Sequence, residues 1–295
     1  MHEIFGPGFF SSEPVHTALL VGAVIAITSA VVGVFTVTRG QSFAGHSLAD
    51  ISTTGGSGAI LIGLNQFWGY LAFGAGVAAF MELIGIQRKR GRDVATGVVL
   101  GAALGLSALF LYLDTNTSTT GATVTVMFGS IWEVTSSTVP GLIVSALLAL
   151  FTVLALARPL LLSSLSPDIA AARGVPVRLI GAVFLMALAI SVALSAVIIG
   201  AVLSTALLIG PAAAALRIAK GPVKAMVTAA AIGTAATWLG ILLSYDSNTW
   251  PPSHSSWPVS FFVVALVVLA YLATYISGWR RPAAQEAEQH TCSPA

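Results

Sequence analysis

Long apolar segments separated by short polar ones follow one another along most of the chain. A helix needs about 20 mostly apolar residues to cross a bilayer, and nine segments come close to that length. These segments are 17–38, 47–64, 67–86, 94–113, 139–157, 179–199, 200–216, 225–243 and 258–278. The pattern predicts an all-α fold, a polytopic membrane helical bundle of about nine transmembrane helices.

Two places in this pattern predict a change of chain direction or a defect. The sixth and seventh segments adjoin, so Gly200 is expected to form the turn between them. Pro211 follows Gly210 inside the seventh segment, where proline removes a backbone hydrogen bond. We therefore predict a kink or break there, with either a gating role or none. The stretch 123–134 is too short to cross alone, and we expect it to be re-entrant or interfacial.

The basic residues support an odd number of spans. All 13 Lys and Arg lie after the first, third, fifth, seventh or ninth segment. They are Arg39, Arg88, Lys89, Arg90, Arg92, Arg158, Arg173, Arg178, Arg217, Lys220, Lys224, Arg280 and Arg281. Because cytoplasmic loops carry an excess of Lys and Arg, we expect the N-terminus outside a cell membrane and the C-terminus in the cytoplasm.

The composition fits lipid surroundings for nearly the whole length. Hydrophobic residues make up 56% of the chain, charged residues only 8%, and the mean hydropathy is +0.93. A soluble domain carries about 25% charged residues. We therefore expect one transmembrane domain over 1–278, surrounded by lipid and binding no nucleic acid, and a disordered tail over 279–295. The single cysteine, Cys292, permits no disulfide within the chain.

The opposite side and the fourth segment carry further candidates. Three glycines, Gly97, Gly101 and Gly105, recur every four residues and predict close approach of a neighbouring helix. The outer loops carry acidic groups such as Asp114 and Asp246 and no basic residue. They form either a solvated rim or a mildly acidic mouth that attracts cations.

The cytoplasmic loop 159–178 contains a short helix with strong boundary signals. Ser166 is a natural N-cap, Pro167 suits the first helical position, and Asp168 favours the positive end of a helix. Gly174 is a typical C-terminal stop. The loop therefore predicts a helix of about two turns lying along the cytoplasmic surface.

His46 and Asp50 are the candidate metal ligands. Their spacing of four places both side chains on one helical face at the start of the second segment. An imidazole nitrogen and a carboxylate suit Zn²⁺, Mn²⁺ or Fe²⁺. The alternative is a helix-end pair bonded to each other or to water.

Two segments, SPDIAAARGVPVRLIGAVF and GAVLSTALLIGPAAAALRI, resemble the permease subunits of zinc, manganese and iron ABC importers. Those permeases have a loop of the form Asp-Pro-Glu-x-Ala-x-x-x-Gly, matched here by Ser166, Pro167, Asp168, Ala170 and Gly174. Their later run is matched by Gly200, Leu203, Ala206, Leu207, Leu208, Ile209, Pro211, Ala212 and Ala213. The similarity extends more weakly from about 17 to 278.

The resemblance implies a type II ABC importer-like homodimer docked on two cytoplasmic ATPase subunits. The residues implied in ATPase coupling are Ser166, Pro167, Asp168, Ala170, Ala171, Arg173 and Gly174. An extracytoplasmic metal-binding protein would deliver the ion, which is a substrate rather than a tightly bound cofactor. The chain carries no G-x-x-x-x-G-K-[ST] phosphate loop, so we expect no enzymatic activity of its own.

At the metal pair the chain departs from its resemblance. The related permeases show Gly-Asp-x-x-x-His, whereas here the histidine comes first and the aspartate second. The function expected is import of zinc, manganese or iron. The alternatives are a permease for iron–siderophore or cobalamin, and a proton-driven transporter using Asp50 and Glu82. An intramembrane metalloprotease would need H-E-x-x-H, which does not occur.

Overall fold

The chain forms a bundle of α-helices throughout the part that is described. A computed structural model describes residues 13–83, 89–117, 122–129, 131–247 and 257–279. The helices there are α1 Glu13–Thr38, α2 Ser42–Leu61, α3 Gln66–Leu83, α4 Lys89–Thr117, α5 Ala122–Phe128, α6 Val139–Ala155, α7 Ala157–Leu165, α8 Pro167–Ala172, α9 Val177–Ile199, α10 Ala201–Ile218, α11 Pro222–Ser247 and α12 Val259–Trp279. A 3₁₀ turn, Ile131–Glu133, follows α5.

Each of the nine predicted segments overlaps a helix, so the all-helical prediction is confirmed. Five described stretches are long and apolar enough to cross a membrane unaided: Glu13–Thr38, Thr96–Thr115, Val177–Ile199, Pro222–Ser247 and Val259–Ile276. The consecutive helices α6 and α7 meet that criterion together, but are bent by 58° at their junction. The count of nine spans therefore stays a prediction.

Some predictions fall on residues outside the described ranges. They concern residues 1–12, Arg88, and the whole tail beyond Trp279. The side chain of Glu82 is also outside what is described.

The centre of the bundle is built on α1 and α9, each of which has more than half of its residues buried. Apolar side chains cover most of both helices, but three buried hydroxyls meet between them. Ser29 Oγ lies 2.7 Å from Ser195 Oγ, and Ser191 Oγ donates to Ser29 Oγ at 3.4 Å. Buried hydroxyls in lipid must find partners within the protein, so this contact fixes α1 and α9 in one register.

Glycines let two pairs of helices approach backbone to backbone. A Cβ on Gly55 of α2 would overlap the carbonyl of Gly69 of α3, and one on Gly69 would overlap the carbonyl of Gly55. A Cβ on Gly33 of α1 would overlap the carbonyl of Leu208 of α10. These crossings place α2 tightly beside α3, and α1 beside α10.

The predicted glycine face of α4 has no such neighbour. A Cβ on Gly97, Gly101 or Gly105 would meet no described atom of the chain within 4 Å. Instead α4 packs on α2 through Ala103, whose carbonyl accepts from Thr54 Oγ1 at 2.7 Å. The expectation of close packing on the glycine face is therefore wrong within the chain.

The ends of the helices show two further differences from expectation. Helix α10 is continuous through Pro211, so the predicted break does not occur and the alternative of a kink stays a prediction. The chain turns instead at Gly200, as predicted, with φ 85° and ψ 161°. Asp114 is buried near the end of α4, so the solvated-rim interpretation is wrong for this residue.

The short stretch 123–134 does not reach spanning length. It forms α5 and the 3₁₀ turn, and its side chains Val126 and Ile131 are buried in the core. The backbones of Gly129, which follows α5, and Gly200 lie against each other, so that a Cβ on either would overlap the other. The segment therefore closes over the α9–α10 turn.

Candidate functional site

The loop between α7 and α9 folds as predicted, into the short helix α8. Ser166 is extended at φ −152°, and its side-chain oxygen accepts from the Ile169 backbone N–H at 3.4 Å. Pro167 takes the first helical position and Asp168 lies in the first turn. Gly174 has φ 76°, a conformation that glycine adopts at helix ends without steric cost. The boundary signals in the sequence are confirmed residue by residue.

Helix α8 packs on the rest of the protein through one face and is exposed on the others. Ala170 is fully buried beneath it, whereas Asp168, Ala171 and Arg173 are exposed. The Val175 N–H donates to the Ala170 carbonyl at 3.0 Å, which ties the end of the loop to the helix. The helix is thus a firm projection rather than a loose loop.

Two large aliphatic side chains on this projection point into solvent, and sequence reasoning missed them. Leu165 is 85% exposed and Ile169 is 54% exposed. Both flank the N-cap in a loop that was expected to lie outside the membrane, so their apolar character was the available signal. The two residues are four positions apart and give this part of the chain two exposed apolar side chains.

The structure brings the candidate metal ligands together. His46 and Asp50 lie on the first turns of α2, with His46 Nε2 at 3.5 Å from Asp50 Oδ2. Two ligands held about 2.1 Å from one ion at a tetrahedral angle would be roughly 3.4 Å apart. The separation therefore suits two ligands of one ion without rearrangement of the helix.

The surroundings of the pair divide it into an outer and an inner group. The His46 side chain is 48% exposed and that of Asp50 is 16% exposed. Behind Asp50, Thr53 Oγ1 donates to the Asp50 carbonyl, which leaves the carboxylate to accept other partners. Within the described ranges no cluster of three or more His, Cys, Asp or Glu side chains forms. The pair is thus half of a complete coordination shell at most.

The residues predicted for gating lie apart from the pair in sequence and serve packing contacts. Gly200 forms the α9–α10 turn, and a Cβ on Gly210 would overlap Val267 of α12. Pro211 is buried within α10. Helix α10 also lies beside α2, because Gly45 of α2 faces Leu208 of α10.

The profile of the ABC 3 transport family matches residues 11–275 of this chain. The chain belongs to this ABC transport family. The match covers all nine predicted spans except residues 276–278 of the ninth. It includes α2 and α8. The candidate site residues therefore lie within the part of the chain that the family model matches.

Individual members of the family are similar over most of their length. The manganese transport system membrane protein MntC of Listeria monocytogenes is 27% identical over 246 residues, 83% of this chain and 86% of the relative. The high-affinity zinc uptake system membrane protein ZnuB of Haemophilus influenzae is 24% identical over 241 residues, 81% of this chain and 92% of the relative.

A solved structure of the family has the same fold. A chain of PsaBC from Streptococcus pneumoniae, determined in complex with a Fab, superposes with a TM-score of 0.77. The superposition covers 91% of this chain and 93% of that chain, at 22% sequence identity. The helical arrangement described above is therefore the fold of that PsaBC chain.

Proposed function

We propose that this chain is the membrane subunit of an ATP-driven importer of a divalent transition metal: manganese, zinc or iron. The observation that carries the proposal is α8, a capped and exposed helix on a chain of the ABC 3 transport family. Relatives named for manganese and zinc transport support the substrate class. The chain itself carries out no covalent chemistry; ATP hydrolysis belongs to a partner subunit.

Helix α8 is the surface on which the ATPase docks. Leu165 and Ile169 supply apolar contact area, and Asp168 and Arg173 supply charge at the edges. A helix attached through buried Ala170 can transmit a push because it moves as a unit with the loop that carries it. This arrangement suits a subunit that converts closure of its ATPases into movement of membrane helices.

His46 and Asp50 hold the ion on its way through. Two ligands bind more weakly than the usual four, and weak binding suits an ion that has to leave again. Water, backbone carbonyls or the second protomer complete the shell. The reversed order of the pair still presents one nitrogen and one oxygen on the same face of α2.

The assembly follows the type II ABC importers: two copies of this chain, two ATPases, and an external metal-binding protein. The N-terminus lies outside, and the basic ends of the helices face the cytoplasm of a cell membrane. A pathway at the interface of two copies provides a second His46–Asp50 pair.

Transport by the reconstituted complex tests the proposal. The chain and its ATPase are placed in proteoliposomes with ATP on the cytoplasmic side and the external metal-binding protein on the other, and uptake of radioactive manganese or zinc is measured. We expect uptake that requires ATP and survives a protonophore. A matched complex lacking 166–174 should assemble as a dimer but show no ATP-dependent uptake. Uptake that continues without ATP and collapses with the protonophore would contradict the proposal.

A further inference from the structure

Arg39 connects three helices at the basic end of the bundle. It is the first residue after α1, and its Nη1 donates to Ser163 Oγ at 2.8 Å and to the Leu160 carbonyl at 3.4 Å. Its guanidinium carbon lies 5.4 Å from the centre of the Phe184 ring of α9. One side chain thus joins the end of α1 to α7 and α9.

The contact with α7 is made to the buried side of that helix. Leu160 and Ser163 are its two buried residues, and Arg39 bonds to both. Ser163 Oγ donates in turn to the Leu160 carbonyl at 3.0 Å. A planar guanidinium fixes the direction of its bonds, and stacking on an aromatic ring adds to the attraction. The link therefore holds α7 in one orientation relative to α1.

The other end of α7 leads directly into the ATPase-docking helix. Ser166 ends α7 and at the same time caps α8, so no flexible residue separates the two. Ser163 lies only three positions before this shared residue. A displacement of α8 therefore moves Ser163 Oγ, the atom that Arg39 binds, because only one helical turn separates them.

Arg39 is equally close to the helix that carries the metal pair. Only Gly40 and Gln41 separate it from the start of α2. The Gln41 N–H donates to the Thr36 carbonyl at 2.9 Å, which holds the beginning of α2 on the end of α1. His46 follows in the second turn of α2. A movement of Arg39 thus passes to the metal pair through a short and hydrogen-bonded connection.

From these contacts we infer that Arg39 is a positioning residue that couples the docking helix α8 to the His46–Asp50 pair. When α8 is displaced, Ser163 pulls on the guanidinium and moves the start of α2, which changes how the pair is presented. This inference rests on the proposed function. It goes beyond that function by naming the residue through which the ATPase acts on the metal pair.

The first test measures how many ions cross for each ATP hydrolysed by the reconstituted complex. Arg39→Gln removes the charge and both directed bonds, so we expect the ratio of manganese taken up to ATP hydrolysed to fall roughly tenfold, since hydrogen bonds to charged groups are the stronger ones. Arg39→Lys keeps the charge and should recover part of the ratio. The ratio for Ser163→Ala should lie between those for Arg39→Gln and Arg39→Lys. The double variant Arg39→Gln with Ser163→Ala should have a ratio no lower than that of Arg39→Gln alone.

Arg158→Gln is the matched control, since Arg158 carries the same charge in α7, the helix that Arg39 contacts, but is exposed. It should leave the ratio unchanged. An unchanged ratio in Arg39→Gln would overturn the inference. A loss of assembled complex with an unchanged ratio in what assembles would also overturn it, because Arg39 would then be a structural anchor only.

The second test needs no transport and so separates this inference from the proposed function. Spin labels are placed at Phe43→Cys on α2 and Ala172→Cys on α8, both exposed, in a chain with Cys292→Ala. Nucleotide binding to the complex should change the mobility of both labels. In Arg39→Gln only the label on α8 should respond. If the label on α2 still responds, coupling runs by another route and the inference fails, whether or not manganese or zinc is the substrate.

Discussion

At the scale of single residues, the candidate pair His46 and Asp50 shows how little a helix needs to place two ligand-type side chains together. Four positions of sequence separation bring His46 Nε2 and Asp50 Oδ2 to 3.5 Å, and the same separation places two residues on one helical face whichever comes first. The order decides which ligand lies deeper, because the second residue of the pair is the more buried one here. In this chain the carboxylate is the inner group.

Exchanging the two ligands tests whether the pair or its order matters. In the reconstituted complex, His46→Ala or Asp50→Asn should lower manganese uptake by at least about tenfold, since even second-shell changes cost 10–100-fold in metal affinity. The double variant His46→Asp with Asp50→His restores both ligand types in the opposite order. We expect it to recover uptake to within a few-fold of the unaltered chain.

A double variant as inactive as the singles would contradict this expectation. It would mean that the inner position requires a carboxylate. Gln41→Ala is the control variant near the pair. Gln41 occupies the N-cap position of α2, but its side chain makes no capping hydrogen bond that the substitution would remove.

The residue-scale features that followed from sequence were those set by local geometry. The capping of α8 by Ser166 and the facing of His46 and Asp50 depend only on residues within four positions of each other. The contact of Arg39 with Ser163 joins residues 124 positions apart. No local pattern could indicate it, because it depends on how α1 and α7 come together.

At the scale of helices, close packing is decided by where a glycine lies and not by how glycines are spaced. The regularly spaced glycines of α4 contact no described neighbour within 4 Å. Gly55 and Gly69 meet backbone to backbone, although neither belongs to a regular glycine repeat in its own helix. Spacing predicts which residues share a face of a helix, but the partner that lies against that face is set by the tertiary fold. The tight α2–α3 crossing keeps the helix with the metal pair from shifting against α3.

Adding a methyl group at this crossing should destabilise the bundle. Gly55→Ala or Gly69→Ala places a Cβ inside the partner backbone, and overpacking of this kind costs about 1–3 kcal/mol. Gly101→Ala enters open space and should be neutral or stabilising, by up to ~1 kcal/mol, because alanine is the better helix former. Thermal unfolding of the purified complex in detergent measures the difference. Equal melting temperatures for Gly69→Ala and Gly101→Ala would count against the crossing.

The docking helix offers a separate test at the same scale. Ile169→Asp should leave the fold intact, because this side chain is largely exposed, yet it places a charge where apolar contact with the ATPase is expected. We expect loss of ATPase binding to membranes containing the chain, by roughly tenfold or more. Ile169→Leu keeps the apolar surface and should bind normally. Normal binding by Ile169→Asp would remove Ile169 from the interface.

At the scale of the whole molecule, the distribution of charge predicts how the bundle lies in the membrane. The contacts place basic helix ends on the same side of the bundle. Arg39 at the end of α1 contacts Ser163 of α7, the helix that also carries Arg158. At the opposite end of the bundle, Asn65 Nδ2 donates to Thr138 Oγ1 at 2.9 Å. The fold class followed from hydropathy alone, whereas the number of spans did not, because α2 and α3 are too polar for the same criterion.

Cysteine labelling of intact cells tests the orientation. The chain has one cysteine, so Cys292→Ala gives a background without thiols. Ser136→Cys, exposed between α5 and α6, should react with a membrane-impermeant maleimide from outside. Lys220→Cys, exposed between α10 and α11, should react only after the membrane is permeabilised. The reverse result would invert the orientation and place α8 beyond the reach of a cytoplasmic ATPase.

The meeting of Gly129 with Gly200 has a consequence for which side chains this contact tolerates. The two backbones touch with no side chain between them, so α5 and the turn between α9 and α10 are held at a distance that only glycine allows. Any larger amino acid at either position would overlap the opposing backbone and force these two segments apart.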